Sequence, residues 1–171
     1  NISGADFTPV DGLIRFGLYG IKNVGDLAVD HILSERATGG AFKDLYDFCS
    51  RTDSSIVNKR ALEYLVKSGA FDNIGKRDEL LANLEPALRW GTEQRAQANQ
   101  GQFALFEIDD FKPPEVVPGD NLTLLDLLRM EKESLGLYIS AHPMGSYVGL
   151  SEAATCSVAE LEPQSSGDNT E

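Results

Sequence analysis

The 171 residues carry 15 Lys+Arg against 27 Asp+Glu, a formal net charge of −12, with 42% hydrophobic and 25% charged residues. That acidity argues at first against a nucleic-acid binder, while the apolar content excludes wholesale disorder and the length allows one or two small domains. No apolar run reaches a membrane span, and Cys49 and Cys156, far apart and without His or Cys at ligand spacing, exclude a disulfide scaffold and a zinc ribbon. Reduced thiols and a cytoplasmic setting are therefore expected. A chain that opens on Asn1 is expected to be a piece of something longer.

Residues 6–18, DFTPVDGLIRFGL, place Asp11-Gly12 between two short apolar-rich runs. Both central positions of a type I′ turn need positive φ, so this pair predicts a two-residue β-hairpin, with Pro9 on an edge strand. Val24, Leu27, Ala28 and Ile32 then recur at helical spacing, which predicts a helix from Asp26 to Ala37 stopped by Gly39-Gly40. Phe42, Leu45, Tyr46 and Cys49 mark a short third element, followed by a polar loop from Arg51 to Ile56. Asn58 is the predicted N-cap of a helix reaching Ser68, with Ala61, Leu62, Leu65 and Val66 as its apolar stripe and Gly69 closing it. Helical periodicity resumes from Lys76 to Gln100 through Leu80, Leu81, Leu84 and Leu88, with Pro86 expected to kink or divide it. Its last part, Thr92 to Gln100, has almost no large apolar residue and is expected to fray. Pro113, Pro114, Pro118 and Gly119 predict an extended acidic connector. Thr123-x-x-Asp126 resembles a capping box opening a helix to about Leu137, and the small, polar tail after Ser151 is expected to be disordered.

The charge is unevenly spread. Residues 1–100 hold 12 Lys+Arg and 14 Asp+Glu, and residues 101–171 hold 3 and 13, so the acidity belongs to the C-terminal part. Within residues 51–77 the sign reverses, with Arg51, Lys59, Arg60, Lys67, Lys76 and Arg77 against Asp53, Glu63 and Asp72. Because exposed charges are screened beyond about 10 Å, a local basic strip can meet phosphate in an acidic protein.

Two segments carry functional signals. Residues 20–28, GIKNVGDLA, form a glycine-bearing turn that enters an apolar-periodic helix, where backbone N–H groups and the helix dipole favour a phosphate oxygen. Lys22 can add a charge-assisted contact, Gly25 is expected to let the backbone approach the strand, and Ala28 to let the paired helices pack closely. Ser54 to Arg60 repeats the arrangement, with Asn58 starting the helix and Lys59-Arg60 at its phosphate-facing end. Such paired turns grip duplex backbone without reading bases. The second signal is Gln102-Phe103-Ala104-Leu105-Phe106, an apolar anchor set in a connector, of the kind that short peptides place in a partner's pocket.

In order along the chain, IRFGLYGIKNVGDLAVDHILSER, FKDLYDFCSR, VNKRALEYLVKSGAFD, QFALF and EKESLGLYISAHPM together resemble the alpha subunit of bacterial replicative DNA polymerase III, a C-family polymerase. The resemblance covers about residues 1–145. It implies a mainly α chain: the end of the fingers region with a small N-terminal β-hairpin over 1–19, and a tandem helix-hairpin-helix bundle over 20–100. After these it implies an extended acidic linker over 101–121, one further helix over 122–145 before a missing OB-fold, and a disordered tail over 146–171. It implies duplex DNA as partner for Lys22, Asn23, Val24, Gly25, Asp26, Asn58, Lys59 and Arg60. The beta sliding clamp is the implied partner of Gln102, Phe103, Leu105 and Phe106, and the rest of the polymerase III holoenzyme is implied around both. Magnesium is implied for the parent polymerase; the carboxylates that would hold it, and the catalytic residues with them, have no counterpart in this sequence. A helical protein-interaction adaptor without DNA binding is the alternative.

Other residues are expected in supporting places: His31 as a partly exposed helix residue and His142 as a cap on terminal carbonyls. Trp90 and Tyr64 are expected in packing, and Glu131 and Glu133 on different helix faces.

Overall fold

Asp11 and Gly12 take φ of 51° and 79°, the left-handed pair that a two-residue turn demands. They join β1 (Thr8–Val10) and β2 (Leu13–Arg15), paired antiparallel with Val10 opposite Leu13. The computed structural model describes residues 1–99 and 112–147. A single 3-10 turn at Leu18–Gly20 leads into the helices. Gly20 leaves room there for the Phe16 ring, which a Cβ would approach to 2.6 Å and displace.

Six α-helices follow among the described residues: α1 (Asp26–Gly39), α2 (Leu45–Arg51), α3 (Lys59–Lys67), α4 (Arg77–Ala82), α5 (Leu84–Asn99) and α6 (Leu124–Leu135). Three of these starts, those of α2, α3 and α6, are capped by a side chain. Asp44 accepts from the Asp47 amide at 2.8 Å and Asn58 from the Ala61 amide at 3.0 Å. Thr123 and Asp126 form a reciprocal capping box. Gly40, Gly69 and Gly136, all at positive φ, close α1, α3 and α6. The predicted helix near Pro86 is divided, as the proline allowed, but the break falls at Asn83. Pro86 itself lies in the first turn of α5, where a missing N–H costs nothing.

The expected fraying of Thr92 to Gln100 does not occur up to Asn99: this stretch continues α5, held by polar ties described below. The last helix ends at Leu135, two residues short of the expected Leu137, because Gly136 takes the left-handed conformation there.

One buried cluster runs from Leu18 and Ile21 through Val29, Phe48, Leu62, Leu65 and Val66 to Leu84 and Leu135. Phe48 stacks edge-to-face on both Phe42 and Phe71, with ring centroids 4.8 and 4.9 Å apart. The α2 and α5 helices share the most extensive helix interface, and α3 packs on α4, α5 and α6. The connector has no regular secondary structure over residues 112–121, and Asn121 takes the left-handed φ of 53°. It is nevertheless fastened: Asn83 donates to the Val117 carbonyl at 2.7 Å and accepts from the Val117 amide at 2.9 Å.

Candidate nucleic-acid interface

The first turn is set by Val24, buried in the core, and by Asn23 in the left-handed region at φ 61°. Its back is bonded to α6, through the Lys22 amide donating to the Ser134 carbonyl at 2.9 Å. Gly25 is the N-cap of α1 and offers no side-chain acceptor. Among the described residues the amides of Gly25, Asp26 and Leu27 have no hydrogen-bond acceptor, so three donors face outward at a helix N-terminus. Gly25 meets no neighbour within the chain. Its φ is −73° and a Cβ would meet nothing within 4 Å; what its bare Cα leaves is open space beside those amides.

Lys22 is exposed and has no ion pair among the described residues. Asp26 bears the sign of phosphate, so its contribution is its amide and not its carboxylate. Leu27, assigned by periodicity to the apolar stripe, is 80% exposed beside the free amides, whereas Ala28, Val29 and Ile32 carry the buried face.

The second turn leads from Thr52 to Asn58. Asp53 accepts from the Ser55 amide at 2.8 Å and hydroxyl at 2.7 Å, bonds that hold its carboxyl below the usual range. With Asn58 occupied by Ala61, the amides of Asn58, Lys59 and Arg60 remain without acceptors among the described residues. Arg60 projects from the first turn of α3 with its guanidinium 6.0 Å over the Tyr64 ring. Lys59 is not free: it pairs with Glu85 on α5. Both partners are more than half exposed, and a solvent-screened pair of this kind holds weakly, so phosphate can displace the glutamate.

His31 connects the two turns. Five residues into α1, its Nε2 accepts from the Asp53 amide at 2.9 Å, which fixes the proton on Nδ1 and ties the start of the second turn to the helix that begins at the first. Arg95 reaches the same turn from α5. It donates to the Cys49 carbonyl at 2.8 Å, to the Thr52 carbonyl, and to the Ser54 hydroxyl at 3.2 Å. Sequence reasoning missed both roles. The available signal was Arg95 standing four residues after Gly91 on one helical face, a pattern that apolar periodicity does not register.

The basic strip of residues 51–77 is largely spent inside the fold. Arg51 binds Asp47 and the carbonyls of Glu35 and Gly40. Lys67 pairs with Glu63 and Glu133, and Arg77, buried, pairs with Asp72 at 2.7 Å and with Glu131 at 3.3 Å. The positive local balance is thus not a row of free cations, because five of these six side chains pair with carboxylates, and three of them, Lys59, Lys67 and Arg77, with carboxylates brought from other helices. His142 also differs from expectation: its Nδ1 accepts from the Met144 amide at 3.2 Å, serving the start of a 3-10 turn and not helix carbonyls. Tyr64 is half-buried and donates to Glu133 at 3.0 Å, and Trp90 packs partly buried against the core. Burial pushes the Cys49 thiol up to about 12 against the opposing charge of Arg95, which leaves it inert. No group of three or more His, Cys, Asp or Glu among the described residues could hold a metal ion. No helix among them is long and apolar enough to cross a membrane. Gln102, Phe103, Leu105 and Phe106 lie outside the described residues.

Residues 1–80 match a family profile described as a helix-hairpin-helix motif. Over 161 residues, 94% of this chain, the sequence is 48% identical to the DNA polymerase III subunit alpha of Thermus aquaticus. It is 46% identical over 95% of its length to that of Deinococcus radiodurans, and 40% identical over 86% to that of Bacillus subtilis. The chain spans only 13% of the Thermus protein and 12% of the Deinococcus one.

Proposed function

The chain belongs to the alpha-subunit family of bacterial DNA polymerase III, as one segment of it, and from that premise we propose that it grips duplex DNA by the backbone and tethers the polymerase to the beta sliding clamp. The observation that carries the DNA reading is the pair of helix N-termini, each with three amides that have no acceptor among the described residues and with exposed cations in the same turn: Lys22 in the first, Lys59 and Arg60 in the second. Amides and cations recognise phosphate oxygens and carry no base information, so the binding is sequence-independent. The contact set is Lys22, Asn23, Gly25 and Asp26 in the first turn and Asn58, Lys59 and Arg60 in the second, with Val24 anchoring the first turn from below.

Gln102 would hydrogen-bond at the edge of the clamp's pocket, with Leu105 and Phe106 filling it and Phe103 beside them. What supports this is the peptide's composition and its position between α5 and the fastened connector. The magnesium ions that nucleotidyl transfer requires in the parent enzyme find no fitting carboxylate group among the described residues, so no catalytic step is assigned to this chain. Its setting would be the replication machinery of the bacterial cytoplasm.

Fluorescence anisotropy with a mixed-sequence duplex tests the first half. Affinity should fall steeply with salt, and Lys22→Gln or Arg60→Gln should each reduce the log–log slope by about 0.9. Salt-insensitive binding would refute it. Leu105→Ala with Phe106→Ala should abolish binding to an immobilised clamp and leave duplex binding unchanged. The adaptor reading draws on the internal pairing of Arg51, Lys67 and Arg77; it predicts that Lys59→Glu with Arg60→Glu leaves duplex binding unaltered.

A further inference from the structure

Gly91 and Arg95 lie one helical turn apart on the face of α5 that meets α2. A Cβ at Gly91 would overlap the Cys49 carbonyl and come within 3.0 Å of the Ser50 amide, so glycine alone allows this approach. The approach brings the Arg95 fork onto three acceptors in the last turn of α2 and the loop after it: the carbonyls of Cys49 and Thr52 and the hydroxyl of Ser54. Thr52 is buried and its own hydroxyl turns back to the Phe48 carbonyl at 2.8 Å, so the loop leaves α2 along a fixed course. From α1, His31 holds the Asp53 amide.

We propose that Arg95 is a positioning residue for the second turn's hold on the phosphate backbone. The proposal rests on the DNA-binding reading above. Arg95 itself faces inward to carbonyls, and the amides of Asn58, Lys59 and Arg60 that would meet phosphate begin four residues beyond its Ser54 contact. A planar guanidinium can serve three acceptors at fixed angles, whereas an ammonium on a flexible stem cannot reproduce that fork. Its contribution is therefore geometric: it holds the loop so that the three amides converge, instead of adding a charge to the interface.

Duplex affinity of the full 171-residue chain provides the test. Salt-dependent binding by the wild type comes first; its absence would refute the DNA-binding reading and this proposal with it. Given binding, Arg95→Gln should weaken affinity on the order of ten-fold, the scale of hydrogen bonds to a charged group. Arg95→Lys should weaken it equally despite keeping the charge. Combined with Arg60→Gln, the loss should be smaller than the product of the single losses, and combined with Lys22→Gln it should equal that product. Unchanged affinity in Arg95→Gln, or full affinity in Arg95→Lys, would overturn the proposal while leaving the DNA-binding reading intact. So would independent losses with Arg60→Gln. Circular dichroism checks the fold of each variant. If both Arg95 variants unfold, Ser54→Ala decides, with a loss of about three-fold expected and no loss overturning the proposal.

Discussion

Glu131 is the most consequential single residue that periodicity alone would misassign. It is 1% exposed, on a helix whose neighbouring Glu133 stays at the surface. Burial raises the cost of its charge, but the Ser140 hydroxyl and amide, the Ile139 amide and Arg77 outweigh that cost and hold its carboxyl below the ordinary 4.5. Losing one partner of a buried pair is expensive, so Glu131→Gln should destabilise the chain by about 3 kcal/mol in urea unfolding at pH 7. The pH dependence has a definite sign. A carboxyl depressed in the native state takes up its proton first in the unfolded chain, so its stabilisation is complete above 4.5 and is lost as pH falls through the lower native value. The melting difference between wild type and Glu131→Gln should therefore narrow as pH drops below 4.5. The sequence placed Glu131 and Glu133 on different faces correctly, yet it could not tell which face is inside, since Arg77 comes from 54 positions away and Ser140 from the turn beyond the helix end.

At the scale of elements, capping chemistry was the most legible part. Asp11-Gly12, Asn58, Gly69 and the Thr123–Asp126 box all act within a few residues of themselves, so their geometry follows from local sequence alone. The length of α5 was not legible, because its C-terminal half is held by Gly91 against α2 and by Arg95, both contacts with residues more than forty positions away. This gives a prediction of unusual sign. Gly→Ala inside a helix ordinarily stabilises by nearly 1 kcal/mol, but Gly91→Ala forces a methyl onto the Cys49 carbonyl and should be net destabilising by about 1–3 kcal/mol. Thermal denaturation distinguishes the two signs. The candidate site shows the same division: the N-terminal amides follow from glycine and Asn58, while the ties from His31 and Arg95 and the Lys59–Glu85 pair needed the tertiary arrangement.

The whole molecule sets a long-range term against the short-range contacts of the turns. With a net charge of −12, the chain is repelled by a duplex at distances where the Debye length is long, about 30 Å at 0.01 M salt. At physiological salt that repulsion is screened while amide and cation contacts persist. Duplex affinity plotted against salt should accordingly be flatter below about 0.03 M than near 0.1 M, a curvature that a basic protein with the same contacts would lack. The Asn83–Val117 exchange bears on a different property, the path of mechanical load. Asn83 lies at the junction of α4 and α5, and Asn99 ends α5, so the chain between Asn99 and Val117 is attached at both ends to one body. A partner pulling on that span would divide its force between a helix end and a pair of hydrogen bonds at Asn83. The two bonds at Asn83, backed by the Asn121 amide on the Asp78 carboxylate, would meet such a pull before it reached the helical core.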